Sequence, residues 1–140
     1  MEVQDIFLPV AALALWTLLV LGLVPIARFR AAAAGRVSAH DFKTGESAQV
    51  PPDVSVPNRA FMNLLEVPVL FYMACIVAFL THHVEGRLIT LAWIYVVLRV
   101  AHSLVYLVYN NVLHRLAVFA ISNFVVVAIW LMLTSQLLHL

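Results

Sequence analysis

Three polar residues that could do chemistry lie inside a long apolar stretch in the last third of the chain. Arg99, His102 and Tyr106 are spaced i, i+3 and i+7, so on an α-helix they share one face. A charged side chain at bilayer depth costs a few kcal/mol, and such residues commonly mark functional sites. The pattern leaves two roles equally open, a binding site and a buried polar stripe that holds helices together.

A second polar group precedes the first and has the same helical spacing. Arg59, Asn63 and Glu66 are spaced i, i+4 and i+7, and Pro68 follows closely, where it weakens local backbone hydrogen bonding. A buried carboxylate needs a cationic or hydrogen-bonding partner. Since Arg99 is also stranded among apolar residues, we predict a Glu66–Arg99 ion pair, which is compatible with a structural role and with a binding site.

The composition indicates an integral membrane protein. The 140 residues are 64% hydrophobic and 11% charged, whereas soluble domains are close to half apolar and a quarter charged. The net charge of +1 argues against a nucleic-acid partner. The single cysteine, Cys75, excludes an internal disulfide and is expected to serve packing. Metal binding is not predicted, because the adjacent pair His82 and His83 lacks further ligands nearby.

Hydropathy and the breaks in the pattern predict an all-α fold, a bundle of four transmembrane helices in a single domain covering residues 1–140. The long segment 31–58 should be a loop, and its prolines at 51, 52 and 57 argue against regular structure there. We interpret it as a solvated connector in preference to a lid over a site. Ser122 and Asn123 are expected to form hydrogen bonds between helices. The predicted spans are residues 6–27, 60–80, 88–109 and 113–138.

The basic residues predict the orientation in the membrane. Of the basic residues outside the apolar spans, only Arg87 lies on the side of the two termini. The positive-inside rule therefore places the long loop in the cytoplasm and both termini on the opposite side, as expected for a multi-pass protein of a bacterial inner membrane. Six basic residues lie on the side of the long loop: Arg28, Arg30, Arg36, Lys43, Arg59 and Arg115.

The polar residues of the second, third and fourth spans should converge near the cytoplasmic face. They offer cations, one carboxylate, an amide, an imidazole and a phenol. This set suits a small zwitterionic ligand with more than one carboxylate, since arginine binds carboxylates and Glu66 can bind an ammonium group. A hydrolase is not indicated, because Ser103 and His102 are sequence neighbours and point to different faces of a helix.

Two motifs resemble the signature of the MAPEG family, the membrane-associated proteins of eicosanoid and glutathione metabolism. These are Arg-x-x-x-Asn-x-x-Glu in residues 59–66 and Arg-x-x-His-x-x-x-Tyr in residues 99–106, followed nine residues later by Arg115. The family includes microsomal glutathione transferases, and the resemblance points to a member of that type or of a bacterial type. It implies a homotrimer that binds glutathione, its co-substrate, between neighbouring subunits near the cytoplasmic face.

The resemblance also implies roles for individual residues. Arg115 would be the catalytic residue, because a cation beside the glutathione thiol lowers its pKa from about 8.5 and so favours the thiolate. Leu116 and Phe119 replace a serine and a tyrosine of the prostaglandin synthase branch, which argues against that activity. Besides Arg115, the implied contacts to glutathione are Asn63, Glu66, His102 and Tyr106, with Arg28 or Arg30 contributing, whereas Arg59 and Arg99 would support these groups or touch the ligand. Arg99 is the deepest of the three polar residues in its span and is expected to be mainly structural, and His102 and Tyr106 are expected to contact the ligand.

These features predict a glutathione-dependent transferase or peroxidase that acts on small hydrophobic electrophiles dissolved in the bilayer. Its partners would be further copies of the chain, membrane lipid and the hydrophobic substrate. The alternative is a non-enzymatic scaffold of the same fold that binds lipids or other ligands. A small four-span drug exporter ranks last, because such transporters carry an essential glutamate in the first span and residues 6–26 contain no charge.

Overall fold

The computed structural model describes residues 3–138, and over that range the chain is helical without β-strands. Four apolar stretches are long enough to cross a membrane, and the predicted all-α bundle of four such spans is confirmed. Two short 3-10 helices, Val3–Ile6 and Ala39–Phe42, accompany the main helices. The α-helices are α1 (Phe7–Ala33), α2 (Pro52–Leu65), α3 (Pro68–Leu80), α4 (Gly86–Val108) and α5 (Val112–Leu138).

Helix α1 runs beyond the span predicted to end at residue 27. A run of alanines, which are strong helix formers, carries it to Ala33. Gly35 then adopts a positive φ of 69°, which a residue with a side chain rarely adopts. The amides of Gly35 and Arg36 bond back to the carbonyls of Ala32 and Ala31, both at 2.9 Å. This bonding pattern is a Schellman motif, and it ends the helix at the glycine.

The second crossing differs from its prediction at both its start and its middle. Helix α2 begins at Pro52, so the expectation of irregular structure up to residue 58 was wrong. A proline at the first helical position costs nothing, because the N–H it lacks would have no partner there. Pro68 lacks the N–H that a continuous helix would need, and the backbone leaves the helix at Glu66 (φ −75°, ψ −92°). The crossing Pro52–Leu80 is therefore two helices, α2 and α3.

Asparagines make the tight connection between α4 and α5. Asn110 has a positive φ of 46°, a conformation that asparagine tolerates better than most residues. The Oδ1 atom of Asn111 accepts hydrogen bonds from the amides of Leu113 and His114, at 3.0 and 3.1 Å. Asn111 thus caps the free N–H groups at the start of α5. The two asparagines hold the adjoining helix ends in fixed positions.

Helix α4 is the centre of the bundle and packs against α1, α2 and α5. Small buried residues such as Ala74 and Ala92 let neighbouring helices approach closely. The indole Nε1 of Trp16 on α1 donates to Ser103 Oγ on α4 at 2.7 Å. These contacts fix the polar face of α4 relative to the other helices.

The loop 34–51 is tied to the ends of α1 and α2. Ala31, Val50 and Val54 form a small buried apolar cluster there. Arg28 pairs with Glu46 at 3.2 Å, and Arg36 pairs with Asp53 at 2.8 Å. The loop is therefore an ordered connector.

Candidate functional site

A cavity of about 280 Å³ opens between α2, α4 and α5. Four of the residues predicted to form a site line it together, and three residues from the first turns of α5 complete the wall. The lining residues are Asn63, His102, Tyr106, Val112, Arg115, Leu116 and Phe119.

Arg115 supplies the positive charge of the cavity. Its guanidinium carbon lies 4.2 Å from the centroid of the Tyr106 ring, a cation–π contact. Its Nη1 atom donates a hydrogen bond of 2.6 Å to Oδ1 of Asn110. Both partners are uncharged, and Arg115 forms no ion pair with any residue between 3 and 138. The charge also lies in the first turn of α5, where the helix dipole adds positive potential. The arrangement favours an anionic ligand.

His102 and Tyr106 form the wall on α4. Their side chains are 3% and 8% exposed, and their ring centroids lie 6.3 Å apart in an edge-to-face contact. The His102 ring also lies 5.6 Å from the Phe119 ring. Neither the imidazole nor the phenol forms a hydrogen bond with another described side chain or backbone group. Their polar atoms are therefore available to a ligand in the cavity.

Arg99 lies behind this wall and supports it. The residue is fully buried, and its Nη2 atom donates to the backbone carbonyl of Asn63 in the last turn of α2. Its guanidinium carbon lies 5.6 Å from the centroid of the Phe119 ring. The Nε and Nη1 atoms have no hydrogen-bond partner within residues 3–138. Arg99 thus connects α4 to α2 and does not line the cavity.

The predicted ion pair between Glu66 and Arg99 is wrong. Glu66 is exposed, and no carboxylate oxygen of Glu66 lies within 4 Å of the Arg99 guanidinium. The prediction assumed a continuous helix that would keep Glu66 on the face of Asn63. The backbone leaves the helix at Glu66, so the helical spacing no longer determines the direction of this side chain.

The remaining predicted residues lie away from the cavity of the single chain. Arg30, Arg59 and Glu66 are exposed. Arg28 is engaged by the loop, because it pairs with Glu46 and its guanidinium carbon lies 4.5 Å from the centroid of the Phe42 ring.

Asn110 is a site residue that the sequence reasoning missed. It was interpreted only as a break between two spans, whereas its side chain holds Arg115 beside Tyr106. The residue type could have indicated this role, because asparagine tolerates a positive φ in a tight turn and also carries a side chain that forms hydrogen bonds.

A second cavity of about 370 Å³ continues from the first along α5 and shares Leu116 and Phe119 with it. The interhelical hydrogen bond predicted for Ser122 and Asn123 does not form within the described chain: Ser122 Oγ donates to the Phe119 carbonyl of its own helix at 2.8 Å. Asn123 Oδ1 is buried without a hydrogen-bond partner in the described chain. We call this second cavity the α5 groove, lined by Leu116, Phe119, Ala120, Asn123, Phe124 and Val127.

The chemistry that these groups support is anion binding next to an apolar compartment. A guanidinium, an imidazole, a phenol and an amide surround the first cavity, and the groove beside it is apolar apart from Asn123. Within the described range, no cluster of three or more histidine, cysteine, aspartate or glutamate side chains could hold a metal ion.

Comparison with known proteins identifies the family. The family model of the MAPEG family matches residues 6–135, nearly the whole chain, and the chain belongs to this family. The family includes glutathione transferases and related enzymes. Comparisons with curated proteins and with solved structures found no match. Together, the four apolar helices and the family membership establish an integral membrane protein.

Proposed function

We propose that this MAPEG protein is a glutathione-dependent transferase whose Arg115 stabilises the glutathione thiolate. The observation that carries the proposal is the cavity, in which the Arg115 guanidinium faces the ligand space without a carboxylate partner. The second substrates are small hydrophobic electrophiles that enter from the bilayer, organic hydroperoxides among them.

The residues of the cavity fit part of glutathione. This tripeptide carries two carboxylates, an ammonium group, two amide bonds and a thiol. Arg115 can bind one anionic group, and Asn63, His102 and Tyr106 can exchange hydrogen bonds with the peptide. No carboxylate lines the cavity to receive the ammonium group.

A homotrimer would supply the missing groups, and we include it in the proposal. Glu66 is exposed on the single chain inside the second span, although an ionic group at membrane depth is rarely left facing lipid, and Arg30 and Arg59 are exposed just outside the first and second predicted spans. In a trimer these residues can complete the site from a neighbouring subunit, Glu66 for the ammonium and the arginines for the carboxylates. Arg28 can contribute in the same way where its pair with Glu46 opens.

The proposed reaction proceeds through the thiolate. The thiol releases its proton to water, and Arg115 offsets the negative charge on sulfur. The sulfur then bonds to an electrophilic carbon, and the displaced electron pair leaves with a leaving group or is protonated by water. With a hydroperoxide, the thiolate attacks oxygen, the O–O bond breaks, and an alcohol and a glutathione sulfenic acid form. A second glutathione converts the sulfenic acid to glutathione disulfide and water.

The proposal places the cavity and the loop 34–51 on the cytoplasmic side of a bacterial inner membrane, with both termini on the opposite side. The basic residues that accompany the loop support this orientation. Glutathione would then reach the cavity from the cytoplasm and the electrophile from the bilayer.

Substitution of Arg115 tests the proposal. In the purified protein, Arg115→Ala should lower kcat/KM for glutathione conjugation about 100-fold, because the charge on sulfur loses its counterion. Arg87→Ala is the matched control, since Arg87 is an exposed arginine at the opposite end of α4. It should stay within about two-fold of the original rate. Conjugation that is absent from the unsubstituted protein, or indifferent to Arg115→Ala, would overturn the proposal.

One observation favours a second candidate, a non-enzymatic binding scaffold. Leu116 and Phe119 line the cavity beside Arg115 and offer no hydroxyl group to the sulfur. A scaffold would bind lipid in the α5 groove without catalysing conjugation. Glutathione titration of the folded protein separates the two candidates, because the transferase requires binding and the scaffold does not.

A further inference from the structure

Arg99 is a buried cation to which the proposed reaction gives no role. We infer that its charge acts across the cavity wall and helps Arg115 to hold negative charge on the glutathione sulfur. This inference rests on the proposed function and adds a second source of positive potential to the same site. Arg99 does this in addition to its structural role, and it does not touch the ligand.

The charge of Arg99 lacks a close counterion in the described part of the chain. The side chain is fully buried, and no carboxylate oxygen of residues 3–138 lies within 4 Å of its guanidinium. Its hydrogen bond goes to a neutral group, the Asn63 carbonyl, and its Nε and Nη1 atoms have no partner within that range. Because the side chain is enclosed, an atom of a neighbouring subunit cannot contact it. A buried cation of this kind is costly until negative charge comes close.

The cavity of the proposed site lies on the other side of a thin wall from this cation. Arg99 bonds to the backbone of Asn63, and its guanidinium carbon lies 5.6 Å from the centroid of the Phe119 ring. The His102 ring lies 5.6 Å from the same Phe119 ring. Asn63, His102 and Phe119 all line the cavity. An anion in the cavity is therefore separated from Arg99 by one layer of residues.

The two arginine charges reach the same wall from different sides. Arg115 lines the cavity, whereas Arg99 lies behind it. Both charges act on the imidazole of His102, which is part of the lining. The positive potential at the wall is thus the sum of an exposed and an enclosed contribution.

A charge acts through such a layer because enclosed protein screens it much less than water does. At an effective dielectric constant of about 20, two unit charges roughly 10 Å apart change a binding constant by about ten-fold. Glu66 offsets part of this effect, because its carboxylate also interacts electrostatically with Arg99 from beyond 4 Å. We expect Arg99 to favour an anionic over a neutral group at the sulfur position about three-fold.

The test measures the binding of two glutathione derivatives to the purified full-length protein in detergent. Glutathione sulfonate carries a fixed negative charge at the sulfur position, whereas S-methylglutathione is neutral there and has the same peptide. Calorimetric titration gives the ratio of their dissociation constants. Loss of a structural support weakens the binding of both ligands alike, so a change in the ratio reports charge near the sulfur.

Two neutral variants remove the charge of Arg99. Arg99→Met fills most of the buried volume, and Arg99→Gln retains an amide that can donate to a carbonyl. Each should lower the preference for the sulfonate about three-fold, whereas Arg99→Lys, which keeps the charge, should retain it. Arg87→Met is the matched control, because it removes an exposed arginine at the opposite end of α4 and should leave the ratio unchanged.

A further variant tests the inference with Arg99 in place. In Arg115→Gln the cavity loses its own cation, and a preference for the sulfonate of about three-fold should remain. Circular dichroism and size-exclusion chromatography establish which variants are folded. The Arg115→Gln measurement decides the matter if the Arg99 variants do not fold, because it leaves the buried layer behind the cavity unchanged.

Three results overturn the inference: no preference for the sulfonate in the unsubstituted protein, a ratio that the neutral Arg99 variants leave unchanged, or a ratio that falls to about one in Arg115→Gln. Each of them leaves the proposed function standing where the protein still binds glutathione and conjugates it. A protein that binds neither derivative and forms no conjugate overturns the proposed function instead.

Discussion

The protein holds its arginines in two different ways at neighbouring helix ends. Where α1 and α2 meet the loop 34–51, Arg28 and Arg36 each pair with a carboxylate, at 3.2 and 2.8 Å. Where α4 meets α5, Arg115 contacts only neutral groups, the Asn110 amide and the Tyr106 ring. The first region uses charge to fasten a loop. The second holds a cation in place without neutralising it.

This difference explains why only one of the two regions resembles a binding site. The positive potential of a paired arginine is partly cancelled by its carboxylate, so less of it reaches a ligand. Neutral partners fix the position of Arg115 and leave its charge to a ligand. Preorganised charge of this kind stabilises an anion as it forms.

The largest effect on stability is expected at Arg99, the buried arginine behind the cavity. Arg99→Ala should lower the free energy of unfolding by about 3 kcal/mol, because it empties a fully buried volume and removes the bond to the Asn63 carbonyl. SDS titration of the purified protein, followed by circular dichroism, measures the change. Arg59→Ala is the control, since this exposed residue should change stability by less than about 0.5 kcal/mol. Equal stability of the two variants would show that Arg99 is not a structural residue.

A smaller effect, confined to activity, is expected from Asn110→Gly. Glycine suits the positive φ of this position, so the fold should keep its stability while Arg115 loses its hydrogen bond. We expect kcat/KM for conjugation to fall about ten-fold. Asn111→Ser is the matched control, because serine preserves the cap of α5 and should preserve the rate. An unchanged rate in Asn110→Gly would mean that Tyr106 alone positions Arg115.

The smallest effect is expected in the loop. The backbone N–H and the hydroxyl of Ser38 donate to Asp41, and these bonds hold the pKa of the Asp41 carboxyl below its ordinary value of 3.8. Because the folded pKa is lowered, the carboxylate supports the loop above that ordinary value and loses this role as the pH falls through the lowered pKa. Hydrogen exchange of residues 38–43 should therefore be about two-fold faster in Asp41→Asn than in the original at about pH 5.

At a pH below the lowered pKa the two proteins should exchange alike, because the original carboxyl is then also neutral. A difference that persists in acid would show that the Asp41 side chain acts through something other than its charge. Glutathione conjugation at neutral pH should not differ between them, since the loop does not line the cavity.

Patterns with a helical period predicted part of the polar lining of the cavity. The spacing of Arg99, His102 and Tyr106 placed them on one face, and the structure keeps that face in α4. Depth along that face predicted a structural role for Arg99 and ligand contact for the other two, and in the structure Arg99 lies behind the wall that His102 and Tyr106 form. The partner of Arg99 was not predicted, because it is the Asn63 backbone carbonyl and a sequence pattern does not reveal a backbone acceptor.

The errors arose where backbone geometry departs from a simple period. Pro52 was expected to prevent helix formation, yet it occupies the first position of α2, where proline is well tolerated. A continuous helix would place Glu66 on the same face as Asn63, but the backbone leaves the helix at Glu66, before Pro68. Asn123 was predicted to form a hydrogen bond between helices. Whether its Oδ1 atom finds a partner depends on packing that the sequence does not reveal. These features depend on how the helices pack in three dimensions.

The most direct test of the account is calorimetric titration of the purified protein with glutathione in buffers of different ionisation enthalpy. If Arg115 stabilises the thiolate, binding at neutral pH releases a proton, and the observed heat should vary with the buffer. The sulfur of S-methylglutathione has no proton to release, so this analogue should bind without the buffer dependence that thiolate formation causes. Arg115→Gln should abolish the proton release on glutathione binding. Absence of binding, or proton release that Arg115→Gln leaves unchanged, would contradict the account.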